Sequence, residues 1–294
     1  MKLFLSHLMF SMQSAQSSRT TFERLGFQVT PLRKNAVMGD SEETPAGSCL
    51  VLFPSEHQTP GNYIELSNLG NGDAPSFMRK ILSGPPAAKM LCAYTDQMAN
   101  VLEMWDRLGV EVPYQFEAQS DDKALGRNAF KISIPKLHSL PVFMDVIEFE
   151  TINTYKSKEF MHHPNGAVFL KDVYCLLPND DVEMVGAHYA AMLDTEPLML
   201  EPQRGYVRIR SGNVALHFLD MDAALSLGAD DNITANKTPK IIGIGIETKN
   251  IHGTRNILLQ NTVNFREKNN QVIVSPSNAL ESFIIFKQDD LYHV

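Results

Sequence analysis

Short apolar runs alternate along the chain with segments of helical apolar spacing, in an order that repeats. Leu3 to Phe10 is an apolar run of strand length, and Ser14 to Leu25 follows with Phe22 and Leu25 three apart, as on one helix face. Gly26 ends that helix, because glycine enters the left-handed conformation without a Cβ penalty. Phe27-Gln28-Val29 alternates and starts a strand. Ser48 to Phe53 and Asn62 to Ser67 read as two more, parted by the turn-forming Pro60-Gly61. The unit is β, α, β, β, β.

The unit recurs. Lys89 to Tyr94 is a strand, and Gln97 to Leu108 carries Val101, Met104, Trp105 and Leu108 on one face up to Gly109. Val110-Glu111-Val112, Phe130 to Ile134 and Phe143 to Phe149 complete this second copy. The strings FERLGFQV and WDRLGVEV match in residue type at nearly every position, the mark of an internal repeat. A third copy runs from Val168 to Leu176 through a helix ending in HYAAMLDTEP to Tyr206–Arg210 and Asn213–Leu219, a hairpin around Ser211-Gly212. A fourth takes Lys240 to Glu247, a helix from Ile251 to Leu259, Val272 to Val274 and Ser282 to Phe286. These two copies lack the helix-ending glycine. The pattern predicts an α+β protein with a first domain over 1–152 (modules 1–83 and 87–152), a linker over 153–166 and a second domain over 167–294 (modules 167–222 and 239–294). Ser83-Gly84-Pro85-Pro86 joins the first two modules, and Ala223 to Pro239 is a polar bridge between the last two.

Composition narrows the partners. A net charge of -8 with no basic patch speaks against nucleic acid, whose phosphates demand a basic face. No stretch approaches the roughly 20 uninterrupted apolar residues of a membrane span. Cys49, Cys92 and Cys175 are odd in number, far apart and set in apolar runs. They read as small buried hydrophobes in a reducing, cytoplasmic setting. The opening MKLFLSHLMFSMQSAQSS has the lysine, apolar run and small residues of a signal peptide, but Ser6 and His7 interrupt the run and it leads straight into a helix.

The module order, with SHLMF at the first strand, FERLGFQVTP at the first helix end, NYIELSN at the fourth strand, LPVFMDV closing the second module and HHPNGAVFLKDVYCLL entering the third, resembles the vicinal-oxygen-chelate superfamily and its glyoxalase-like branch. The resemblance is carried mainly by residues 3–180. It implies that modules pair into two curled, cup-like mixed β-sheets with outer helices, and that the first and fourth strands of each module offer metal ligands. His7 and Glu65 match those places in the first module, and Asp145 matches the fourth strand of the second. The first strand of the second module, around Lys89 to Leu91, offers no His, Glu or Asp. Nitrogen and oxygen donors of this kind suit Fe, Mn, Zn or Mg.

Each residue also has a purely structural reading. His7 would be a hydrogen-bonded core histidine, on the same face as Leu5 and Met9 by strand alternation. Glu65 is a single acid in an apolar strand, a costly placement unless it is paired or metal-bound. Asp145 would mark a wet strand face. His163 and Asn165, in the turn-forming HHPNG string, would bind substrate at the mouth of the cup or simply order the linker. In the second half His217 takes the place of Glu65, while Val173 and Phe286 fill the other ligand places with apolar groups. That half is expected to serve packing or dimerisation. Glu247, His188 and His252 have no constellation behind them, and the glycines of IIGIGIE read as strand glycines.

The expectation is a glyoxalase-like protein acting on a small polar organic molecule in the N-terminal cup. A divalent metal on His7, Glu65 and Asp145 would polarise neighbouring substrate oxygens in lyase, isomerase or dioxygenase chemistry, and Glu65 could serve as base. The competing expectation is a metal-free protein of the bleomycin-resistance type that sequesters a small molecule. A homodimer is the expected assembly.

Overall fold

The opening apolar run forms β1 (Leu3–Ser11), and Ser14 starts α1 (Ala15–Arg24) by accepting the Ser17 N–H. The computed structural model describes residues 1–12, 14–34, 47–54, 62–68, 76–122, 126–136, 140–152, 157–178, 181–198, 205–227, 229 and 238–288. Gly26 (φ 84°) and Gly109 (φ 73°) end the first two long helices in the left-handed conformation. The third and fourth copies end theirs with the same conformation on Asp194 (φ 51°) and Thr262 (φ 55°). The repeat thus survives in backbone geometry where its glycine is gone.

The first module continues with β2 (Arg33–Lys34), β3 (Gly47–Leu52) and β4 (Tyr63–Asn68). The second comprises β5 (Ala88–Thr95), α3 (Met98–Arg107), β6 (Tyr114–Asp122), β7 (Gly126–Ile134) and β8 (Phe143–Ile152), with α2 (Ser76–Leu82) between the two modules. Phe27–Val29 and Val110–Val112 are not strands, contrary to their alternation. Phe27 N–H and Val110 N–H instead return to Phe22 O and Trp105 O, closing the helix ends. The third module is β9 (Ala167–Leu176), α4 (Val182–Met192), β10 (Pro197–Leu198), β11 (Tyr206–Ser211) and β12 (Val214–Leu219). After α5 (Met221–Leu227) the fourth is β13 (Lys240–Thr248), α6 (Ile251–Gln260), β14 (Phe265–Lys268), β15 (Gln271–Val274) and β16 (Phe283–Gln288). The sequence pattern gives no sign of α2 or α5. The Pro60-Gly61 turn and most of the bridge after α5 lie outside the described residues.

The two sheets have the same plan. The first runs β2-β3-β4-β1-β5-β8-β7-β6 and the second β10-β11-β12-β9-β13-β16-β15-β14. In each, the first strand of a module pairs parallel with its fourth and antiparallel with the first strand of the other module. The result is the α+β, paired-cup architecture. One apolar core, including Leu5, Phe22, Trp105, Leu170, Tyr189 and Leu258, joins the helix-bearing faces of both halves. Trp105 Nε1–H donates to Met192 O at 2.9 Å across this junction, and Leu170 N–H to Asn62 Oδ1 at 2.7 Å. On the opposite side, α2 packs Phe77, Met78, Ile81 and Leu82 into the first cup against Met9 and Met90, and α5 packs Ala224 into the second. Among the described residues no helix is long and apolar enough to cross a membrane, and all three cysteines are buried thiols.

Candidate functional site

The four central strands of the first sheet place Glu65 (β4), His7 (β1), Cys92 (β5) and Asp145 (β8) on its cup face. Their sequence neighbours Leu66, Leu8, Leu91 and Met144 belong to the junction core instead. His7 reaches that face through a bulge. The β1–β5 register slips between Leu5 and His7, so Leu5 packs in the junction core while Met9 packs in the cup. Simple alternation, which groups His7 with Leu5, fails here for that reason.

The hydrogen bonds set the proton on His7. Ser6 Oγ donates to Cys92 O at 3.1 Å, so it accepts from His7 Nδ1–H at 2.9 Å. Burial, with the charge of Arg33 adding to it, holds the His7 pKa well below the ordinary histidine value. The ring is neutral and presents a bare Nε2 lone pair, 3.7 Å from Glu65 Oε2. Tyr63 stacks on the imidazole at 4.0 Å, and Ser67 Oγ–H donates to Glu65 Oε1 at 2.8 Å. Both partners are thus held by their own strands while two acceptor atoms face each other.

Asp145 lies apart from that pair in its bonding. It is the paired neighbour of Cys92 on β5, whose thiol lies 4.0 Å from Met90 O, and its Oδ1 is buried without a hydrogen-bond partner. Burial pushes its pKa up to about 8, and the Glu65 charge pushes the same way. At neutral pH it is mainly the uncharged acid. Among the described residues no three His, Cys, Asp or Glu side chains are grouped so as to hold a metal. Cys92 was legible only as an apolar-run cysteine. Its parity with Met90 was the signal for its facing the cup.

His163 and Asn165 lie in the seam between the halves. His163 Nδ1 accepts from Gln28 N–H, and Nε2–H donates to Leu52 O, each at 2.9 Å. Burial lowers its pKa to about 4. Asn165 donates to Leu25 O and accepts from Ala167 N–H, and its own carbonyl accepts from Thr248 and Thr254. Both side chains use their hydrogen-bonding groups to hold the chain itself.

The second cup departs from its expected apolar character. Val173 and Phe286 point into the junction core, so they are not the residues at the ligand places. A one-residue slip exchanges the faces of a strand. Glu65 pairs with Met9, two residues beyond His7; His217 pairs with Tyr174, two residues beyond Asp172. Asp172 and His217 therefore hold the places of His7 and Glu65, with acid and imidazole exchanged between strands. His217 Nε2 and Asp172 Oδ1 are 2.8 Å apart, and Lys287 Nζ donates to Asp172 Oδ2. Those partners hold the Asp172 pKa at about 2 despite burial, which by itself would raise it. Glu247 pairs with Lys171 at 3.1 Å. Gly245 leaves the space Asp172 fills, since a Cβ there would sit 2.4 Å from its Oδ2.

No protein-family model and no curated protein matches the sequence. Solved structures do match in fold. A hypothetical protein from Staphylococcus aureus superposes with a TM-score of 0.65 at 12% identity, over 98% of this chain and 100% of that one. A mutant of 4-hydroxymandelate synthase from Streptomyces coelicolor gives 0.62 at 11% identity, over 99% and 94%. A xylose isomerase-like TIM barrel/4-hydroxyphenylpyruvate dioxygenase fusion protein gives 0.53 at 11% identity, over 98% of this chain and 48% of that one. The chain shares the paired-cup fold of these proteins.

Proposed function

We propose that the chain acts on a small polar organic molecule in the first cup, with the His7–Glu65 pair as the polar centre. The observation that carries this is the bare His7 Nε2 facing a Glu65 carboxylate oxygen at 3.7 Å inside a buried cup. Two acceptors in low dielectric repel unless a cation or a hydrogen-bond donor lies between them. The fold neighbours include an enzyme and a fusion protein whose names denote reactions of small aromatic acids, which supports a small-molecule role for the same cup architecture.

A divalent metal fits this pair in part. His7 and Glu65 would hold it with one nitrogen and one oxygen, leaving other positions to water and substrate. Asp145, beside Cys92 on the next strand and with a buried Oδ1 that has no hydrogen-bond partner, is a further oxygen donor on the same face. Such an ion supplies Lewis-acid polarisation of substrate oxygens. The chain's own contribution is to orient His7 through Ser6 and Tyr63, to orient Glu65 through Ser67, and to exclude water with α2. Glu65 is placed to take a proton from a molecule lodged beside it. Arg33, close enough to depress the His7 pKa, favours an anionic molecule.

The absence of any three-ligand group among the described residues favours a second reading, a metal-free binding protein. Metal content of chelator-free protein, measured beside His7→Ala, separates the two. Stoichiometric metal that is lost in the variant supports the metal-dependent reading. Equal trace metal in both removes it. A ligand that raises the melting temperature of metal-free wild type but not of His7→Ala then supports the binder.

A further inference from the structure

We propose that the second cup is a binding site of its own, for a small organic molecule whose anionic group is held by Arg208 and whose hydroxyl donates to Tyr206. Asp172 is ionised beside Lys287, so the 2.8 Å contact with His217 has Nε2–H donating to the carboxylate. Burial keeps the His217 ring neutral, so its Nδ1 is a lone pair, and the 2.8 Å contact there has Tyr206 O–H donating to it. The phenol has no second proton. Its oxygen therefore faces the cup as an acceptor, suited to a ligand O–H.

Among the described residues of the second cup, the charged side chains are paired except at one. Lys287 pairs with Asp172 and Lys171 with Glu247. Among the described residues Arg208 has no acidic partner, and its Nε is buried without a hydrogen bond. Arg208 pairs with His217 across β11–β12, and its charge acts on Tyr174, Tyr206 and His217, opposing the rise that burial imposes on the two phenols and adding to the fall that burial imposes on the imidazole. A buried, unanswered guanidinium donor calls for an anion such as a carboxylate. Tyr206 and Arg208 are two residues apart on one strand face, a spacing of about 6.6 Å. The site is reachable: both residues are half-buried, and the Lys287 and Lys171 side chains are 30% and 26% exposed. Tyr174, stacked on His217 at 4.6 Å, gives the site an aromatic wall.

3-Hydroxybenzoate and benzoate, which share the anionic group and differ only in the hydroxyl, form the probe pair, titrated calorimetrically into the full chain. Wild type is expected to bind 3-hydroxybenzoate roughly tenfold more tightly than benzoate, the effect of one hydrogen bond. Tyr206→Phe should retain benzoate and lose the preference. Arg208→Gln should weaken both at least tenfold, and Arg208→Lys, which keeps the charge without the fork, should fall between. His7→Ala should change neither, which separates this site from the first cup. The proposal is overturned if wild type binds neither probe at millimolar concentration, if Arg208→Gln and Arg208→Lys bind like wild type, or if the hydroxyl preference survives in Tyr206→Phe.

Discussion

Asp172 holds in the second cup the strand position that His7 holds in the first, yet its bonding is opposite. Asp172 meets its imidazole partner at 2.8 Å with a proton between them, while His7 and its carboxylate stand 3.7 Å apart as two acceptors. The same fold position is satisfied in one half and left wanting in the other. A buried carboxylate completed by a lysine and a histidine stabilises the chain, whereas two facing acceptors are poised for a third party.

The second-cup network should be visible in the pH dependence of stability. Asp172 has a folded pKa of about 2 against an ordinary 3.8, so the folded state holds its proton less readily than the unfolded chain. Its contribution is complete above about pH 4 and disappears as the pH falls toward 2. At pH 6, Asp172→Asn should be less stable by on the order of 2 kcal/mol, with the gap closing by pH 2. Urea midpoints across that range check this. A constant gap would show that packing, not ionisation, is lost.

Gly245→Ala puts a methyl group against the Asp172 carboxylate. The carboxylate must move away from His217 and Lys287, at a cost of about 1–3 kcal/mol. The His217 ring resonances in NMR should shift along with the melting temperature. An unchanged imidazole spectrum would contradict the assigned network.

Trp105 is the sole tryptophan, fully buried, with its Nε1–H bonded to Met192 O in the other half. Its fluorescence should therefore report the junction. Because one core serves both halves, thermal unfolding followed by fluorescence and by circular dichroism should coincide. Trp105→Phe should cost about 2–4 kcal/mol through lost volume and an orphaned carbonyl. Two separate transitions would mean that the halves melt independently.

Asn165→Ala should act on stability alone. It removes the bonds to Leu25 O and Ala167 N–H in a fully buried seam, a loss of about 2–4 kcal/mol. Affinity for any ligand of the first cup, measured at a temperature where the variant is folded, should stay within twofold. A selective loss of affinity would instead assign Asn165 to the binding site.

The sequence by itself determined the repeated module, because strand-length apolar runs, helical spacing and glycine stops are local properties readable from neighbours. It also brought His7 and Glu65 forward, since single polar groups in apolar strands must be answered by something. It could not say which face each residue meets. A bulge at Ser6–His7 reverses the parity of β1, and a one-residue offset in β9 hid Asp172 behind Val173. It could not reveal that α2 and α5 enter the cups, or that Asp145 stands beside Cys92 with a buried oxygen left unpartnered. Nor could it show that His163 and Asn165 fasten the seam. Those outcomes depend on register and on contacts between residues more than two hundred positions apart, such as Leu5 N–H with Ser211 Oγ. Local pattern sets which elements form; only the pairing of strands and the closing of the shared core decide which polar atoms face one another.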